Sequence, residues 1–225
     1  MPANSPARGD QTREALLTAA IKIFGRDGFH AASTRAIAKE AGANQALIGY
    51  HFGGKQGLYL AAFEFIAAQV AKRIRPVIET IEQRISNLVS PSEATTVACI
   101  ESMESLFSAL LDLMLQDSSA PWVRLIVRAQ LEPDQGFDVI YQGIMGSMLQ
   151  LLTRLVALAS NRDESVEAVR LQTLMLLGQM MVFLIARGAV ARQMGWTKLG
   201  TKQRESVKAQ IRVHLDALFI VESVR

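Results

Sequence analysis

Apolar residues recur three and four positions apart along nearly the whole chain, and strict apolar–polar alternation never lasts beyond a few residues. That period suits helices and leaves almost nothing for strands. Each segment must bury one stripe against another helix, and the expected fold is all-α. Glycines and small capping residues divide the N-terminal part. A first helix over about Thr12 to Asp27 places Leu16, Ala19, Ala20, Ile23 and Phe24 on one side and stops at Gly28. Ser33 is placed to cap a short second helix with Ile37, Ala38 and Ala41 facing inward, and Gly42 ends it. Asn44 caps a third, Gln45 to Phe52, which Gly53 and Gly54 terminate. Two short helices around a glycine turn have the spacing of a helix-turn-helix.

Beyond Lys55 the segments lengthen. One runs to about Arg75 with Leu58, Ala62, Phe65, Ile66 and Val70 on one side, and Pro76 kinks or restarts it. Ser90-Pro91-Ser92-Glu93 reads as N-cap, proline at N1 and glutamate at N3 of a helix reaching about Gln116. Further helices are expected over about Trp122–Leu131, Gln135–Ala159, Glu164–Met194 and Lys202–Val221. The Glu164–Met194 helix would be ~45 Å long, with Gly195 marking its end. At about 150 residues per domain, 225 residues hold one large domain or two small ones. The expected division is a flexible arm over 1–10, a helix-turn-helix domain over 11–58 and a larger helical domain over 59–225. Arg8 belongs to the arm, read as a tail rather than as a minor-groove finger.

Charge narrows the function. Residues 1–60 hold seven Lys/Arg against four acids, while residues 61–225 hold seventeen of each, so the whole net charge of +3 sits in the head. A basic head on a neutral body suits a polyanion such as DNA. A single cysteine, Cys99, excludes an internal disulfide or a cysteine-built zinc site, points to a reducing compartment and is expected as a buried structural thiol. The start MPANSPARGD has no apolar core of signal-peptide length, so a cytoplasmic protein is expected. The most apolar stretch, sixteen residues between Arg170 and Arg187, is interrupted by Gln172, Thr173 and Gln179 and reads as a buried helix rather than a membrane span.

The run Gly28-Phe29, then Ser33-Thr34-Arg35-Ala36-Ile37-Ala38-Lys39-Glu40-Ala41-Gly42-Ala43-Asn44-Gln45, then Tyr50-His51-Phe52-Gly53-Gly54-Lys55-Gln56-Gly57-Leu58 resembles the DNA-binding domain of TetR/AcrR-type transcriptional regulators. The resemblance covers about residues 11–58 and implies a helix-turn-helix whose third helix reads DNA. Two positions depart from it. Ala32 stands where many relatives carry threonine, which removes a phosphate contact. Gly49 stands where many carry an aromatic, which weakens the helix by roughly 1 kcal/mol relative to alanine.

A helix in the major groove needs small or polar residues outward and anchoring groups at its flanks. Gln45, Ala46, Gly49 and Tyr50 supply that face, with Leu47, Ile48 and Phe52 as the packing side. Ser33 and Asn44 begin the two helices, while Thr34, Arg35 and Lys55 are suited to clamp phosphates. Gln45 is the candidate for a base contact, its amide pairing bidentately with adenine; Tyr50 offers a polar tip. The resemblance assigns His51 to backbone contacts more than to readout. A competing motif, Gly49 to Gln56, nearly spells a phosphate-binding loop, but glutamine replaces the magnesium-binding hydroxyl and no buried strand precedes it. His30, His51 and His214 lie far apart, and no metal or hydrolase signature occurs in the sequence. The chain is therefore read as a non-enzyme without cofactor or metal.

One short recognition helix touches few base pairs, so specificity calls for two copies. The two C-terminal helices are the candidates for dimerisation. Gly178, Ala189 and their small neighbours allow close approach, Leu174, Met181 and Ile185 supply apolar area, and Ile211, Leu215 and Leu218 form a stripe with Val207 and Phe219 on the last helix. Gln135-Gly136-Phe137-Asp138-Val139-Ile140-Tyr141, Leu177-Gly178-Gln179 and Arg192-Gln193-Met194-Gly195-Trp196 resemble the regulatory domain of the CecR-like subgroup over about residues 90–220. That resemblance implies a small-molecule effector. The pocket candidates are Met103, Phe107, Trp122, Tyr141, Met145, Met175 and Phe183, with Arg128 and Gln179 as polar anchors. Arg124 and Arg128 lie one turn apart, suited to an anionic ligand, to facing solvent or to pairing with Glu101 or Glu104. The reading is a homodimeric regulator of a palindromic operator, released as a repressor by its ligand. The alternative is a DNA-binding architectural or protein-interaction module without an effector.

Overall fold

The computed structural model describes residues 6–87 and 92–220, and every regular element among them is helical. Eleven α-helices follow one another: α1 Pro6–Ala31, α2 Thr34–Glu40, α3 Ala46–Phe52, α4 Lys55–Ser86, α5 Glu93–Met114, α6 Ala120–Leu131, α7 Gln135–Ile140, α8 Gly146–Ala159, α9 Glu167–Ile185, α10 Arg187–Met194 and α11 Thr201–Phe219. They form two compact units. The first takes the described residues up to Gln69 together with Ser118–Ile144; the second takes Val70–Asp117 and the described residues from Met145 onward.

In the first unit, α1 begins at Pro6, earlier than the expected Thr12, so residues 6–10 extend the helix instead of forming an arm. Residues 1–5 and the side chain of Arg8 lie outside the described residues. Proline at the first helical position forfeits an N–H that has no partner there anyway. The helix bends at Gly28, with φ 80° and ψ 170°. Leu16, Leu17, Ala20, Ile21 and Phe24 are buried to 2% exposure or less, and Ile37 of α2, Ile48 of α3 and Leu58, Tyr59, Phe63 and Ile66 of α4 are buried as well. Each such side chain stabilises the unit by about 1.5–3 kcal/mol. Tyr59 sits edge-on between Phe24 at 5.0 Å and Phe63 at 5.1 Å. The α6 helix lies along α1, where a Cβ on Gly25 would stand 3.0 Å from the Pro121 carbonyl oxygen.

In the second unit α5 is central, its Cys99, Ile100, Met103, Leu106 and Phe107 all at 1% exposure or less, packed against α8 and α11. Ser92 caps α5 by accepting from the Thr95 N–H at 3.2 Å, two residues later than the expected Ser90; Ser90 and Pro91 lie outside the described residues. Pro76 does not end α4, which continues to Ser86. The expected single helix over Gln135–Ala159 contains one π-type turn, Tyr141–Met145. The expected long helix over Glu164–Met194 is broken at Ala186 (φ −96°, ψ 34°), beside Arg187, whose guanidinium donates to the Met114 carbonyl at 3.1 Å.

Two expectations about packing are corrected. The apolar helix α9 buries only Val169, Thr173, Leu176 and Met180, while Leu171, Leu174, Met175, Val182 and Ile185 on the opposite side are 46–69% exposed. It is long and apolar enough to cross a membrane by length and composition, yet one side is seated in its own unit. On α11, Ile211 at 5% and Leu215 at 0% belong to the inward stripe with Val207 and Phe219, and so are core rather than dimer surface. Leu218 is half-buried beside them, whereas the outward side carries Val213 at 56% and Ile220 at 38%. Lys208 and Arg212, paired with Asp112 at 2.7 Å and Glu104 at 2.8 Å, hold that stripe on α5.

Candidate nucleic-acid interface

The helix-turn-helix is built by side-chain caps and left-handed glycines. Ser33, extended at φ −109° and ψ 141°, accepts from the Ala36 N–H at 3.1 Å and starts α2. At its end the Ala43 N–H reaches back to the Ala38 carbonyl at 2.9 Å around Gly42, whose φ of 63° suits glycine. Asn44 then accepts from the Ala46 N–H at 2.9 Å to open α3, and Gly53 closes it with φ 71°. Outside contacts fix these short helices to α1. Lys22 pairs with Glu40 at 2.5 Å and holds that carboxyl below its ordinary range, and the Arg13 guanidinium lies 5.3 Å from the Phe52 ring centre.

The outcome is a third helix with one anchored and one open side. Ile48 is buried at 1%, Leu47 and Phe52 are half-buried, and Gln45, Ala46, Gly49 and Tyr50 are exposed, Tyr50 to 81%. Nothing stands within 4 Å of the position a Cβ on Gly49 would take. His51 is half-buried, its ring edge-on to Tyr50 at 4.9 Å. Arg35 is exposed on the first turn of α2, and Thr34 beside it accepts from Gln45 Nε2 at 2.9 Å. Lys55, expected as a phosphate clamp, is turned inward. Its ammonium donates to the His30 carbonyl at 3.2 Å and lies 4.7 Å from the Phe29 ring centre. Ala32 is buried at 3%, so the departure at this position concerns packing and not a surface contact.

Between α1, α4 and the end of α6 the first unit holds a cavity of about 380 Å³ lined by Asp27, Phe29, Tyr59, Arg128, Glu132 and Asp134, among others. The Tyr59 hydroxyl donates to Asp134 at 2.8 Å, and burial followed by that contact pushes its pKa up. Asp134 also caps α7 through the Gly136 N–H at 2.8 Å, and Gln56 donates to Gln135 at 2.9 Å. These ties escaped the sequence reading, although Pro133-Asp134 before a helix is a usable cap signal. Arg128 faces this cavity and approaches Gly28; Arg124 is exposed; Glu101 and Glu104 pair with Arg84 and Arg212 instead.

The expected effector residues are divided between the two units. Trp122, Arg128 and Tyr141 belong to the first unit, Tyr141 being 43% exposed. In the second unit Met103 and Phe107 are sealed in the core, Met175 is 69% exposed, and Met145, Gln179 and Phe183 are half-buried. Of the expected dimer surface, Leu174, Gly178, Ile185 and Ala189 are exposed and Met181 is half-buried. Gln179 contacts His214 Nδ1 at 3.1 Å. Burial pushes the Cys99 thiol up to about 11. No group of three or more potential metal-ligating side chains occurs among the described residues.

Residues 16–62 match the family described as bacterial regulatory proteins, tetR family, and residues 99–220 match the C-terminal domain of the HTH-type transcriptional dual regulator CecR. CecR of Shigella flexneri is 29% identical over 218 residues, spanning 96% of both chains. The fold is similar to that of a transcriptional regulator from Pseudomonas aeruginosa PAO1, with TM-score 0.63 at 18% identity, covering 94% of this chain and 91% of that one. It is also similar to FadR of Bacillus subtilis, solved in complex with stearoyl-CoA, with TM-score 0.54 at 17% identity over 90% and 96% of the two chains.

Proposed function

Because the chain belongs to the TetR family of bacterial regulatory proteins and carries the CecR-type C-terminal domain, we propose that it acts in the cytoplasm as a homodimeric repressor released from a palindromic operator by a small molecule. Membership makes it a DNA-binding transcriptional regulator, and it is read as a regulator rather than a catalyst. The observation that carries the reading is the open side of α3, where Gln45, Ala46, Gly49 and Tyr50 face outward over the buried anchor Ile48. Small residues there let the backbone approach base edges, and Arg35 supplies charge for the phosphates. The exposed apolar side of α9 is the surface for a second copy. Met145, Gln179 and Phe183 are the expected pocket residues that a ligand in the second unit can still reach. A ligand favouring wider head spacing would draw the population away from the DNA-competent state.

The test is fluorescence anisotropy of the purified chain against duplexes tiled across its own upstream DNA, at two salt concentrations, repeated with Gln45→Ala. One duplex bound far more tightly than the rest, with its sequence preference relaxed in Gln45→Ala, supports the reading. Equal, weak binding to every duplex overturns it.

A further inference from the structure

Gln45 and Thr34 are joined across the two helices of the DNA-reading motif, Gln45 Nε2 donating to Thr34 Oγ1 at 2.9 Å. A threonine hydroxyl carries one hydrogen and two lone pairs, so accepting from Gln45 leaves its own hydrogen to be donated elsewhere. Among the described residues no acceptor takes it. Gln45 in turn spends one of its two amide hydrogens on Thr34 and keeps the other together with Oε1. A donor beside an acceptor is the complement of adenine N7 and N6 in the major groove. Gln45 is exposed, Thr34 half-buried, and Arg35, next along α2, is exposed. In a complex, the acceptor that DNA brings to this place is a phosphate oxygen drawn by Arg35.

We propose that Thr34 is a positioning residue for sequence readout, its hydroxyl accepting from Gln45 while donating to a DNA phosphate, so that docking on the backbone fixes the amide edge offered to an adenine. The proposal rests on α3 entering the major groove, as argued above. A lone glutamine on an exposed helix has three side-chain torsions to settle on binding, and a partner that settles them beforehand reduces that loss. Ala46 and Gly49 have no side chain able to do so, and the brace comes from the neighbouring helix.

The experiment is selection from a random duplex pool by the full chain, followed by competition binding, with wild type, Gln45→Ala, Thr34→Val and Thr34→Ser. Thermal unfolding of each variant checks that the domain is intact. Wild type is expected to prefer adenine at one position per half-site by about tenfold or more, and Gln45→Ala to lose that preference. Thr34→Val, which keeps the shape and removes the hydroxyl, is expected to lose the same preference at the same position, and Thr34→Ser to retain it. If Thr34→Val weakens all duplexes equally and keeps the adenine preference, Thr34 contacts only the backbone and the proposal is overturned. If Thr34→Ser loses the preference along with Thr34→Val, a hydroxyl at this position is not enough to set the amide, and the proposal also fails. Absence of any preference in wild type removes the premise itself, an outcome distinct from the other two.

Discussion

Two glycines in the DNA-reading part place opposite demands on a side chain. A Cβ on Gly57 would stand 1.8 Å from the Phe52 carbonyl oxygen, where the end of α3 meets the start of α4. Gly57→Ala must force those helices apart, and a loss of more than about 3 kcal/mol is expected in a urea unfolding curve. Gly49 has open space around it, so Gly49→Ala is expected to raise stability by ~1 kcal/mol in the same assay. If Gly57→Ala matched wild type, the junction would have to yield at little cost. Lys55 and Arg35 make a second contrast, because both are cations of the expected clamp but only Arg35 is directed outward. Arg35→Ala is expected to lower the salt slope of DNA binding by about 1, whereas Lys55→Ala leaves the slope unchanged and lowers stability by about 1 kcal/mol. Anisotropy titrations at several salt concentrations, paired with unfolding curves, separate the two effects.

At the level of the element, what could be read in advance was what depends on near neighbours. Ser33, Gly42, Asn44 and Gly53 act within a few residues of themselves, and the ends they set for α2 and α3 agree with those observed to within a residue, α3 starting at Ala46 rather than at Gln45. The brace between Thr34 and Gln45 and the inward turn of Lys55 toward His30 span eleven and twenty-five positions, beyond any local pattern. The helix α9 misled for another reason. It is apolar on both sides, and periodicity says nothing of which side is inside or of what covers the other. On α11 the period found the right stripe, Val207, Ile211 and Leu215, but not its partner, which is α5. Leu174, 55% exposed on the outward side of α9, tests the surface proposed for a second copy. Leu174→Glu is expected to convert a dimer to a monomer in sedimentation velocity and to weaken operator binding at least tenfold, with helicity unchanged. A dimer that persists would move the interface elsewhere.

For the whole molecule, Cys99 offers a reporter of opening. It is fully buried on α5, and burial raises its pKa from 9.0 to about 11. The folded state therefore disfavours the thiolate. Its contribution to stability is intact below the unfolded thiol's pKa and declines as pH rises from there toward about 11. At pH 8 alkylation of the native protein is expected to run at least about 100-fold slower than that of the urea-unfolded chain, from the thiolate fractions alone. Equal rates would mean that the second unit opens readily. The division of the chain has a consequence of its own. The unit that carries the helix-turn-helix is discontinuous, since it is completed by Ser118–Ile144 only after the α5 segment of the other unit has intervened. On the ribosome, α1 emerges early with Gly25 shaped for α6, yet its partner is nearly a hundred residues behind. The part of the protein that reads DNA is begun first and finished late, and a chimaera that swaps reading heads needs two exchanged segments rather than one.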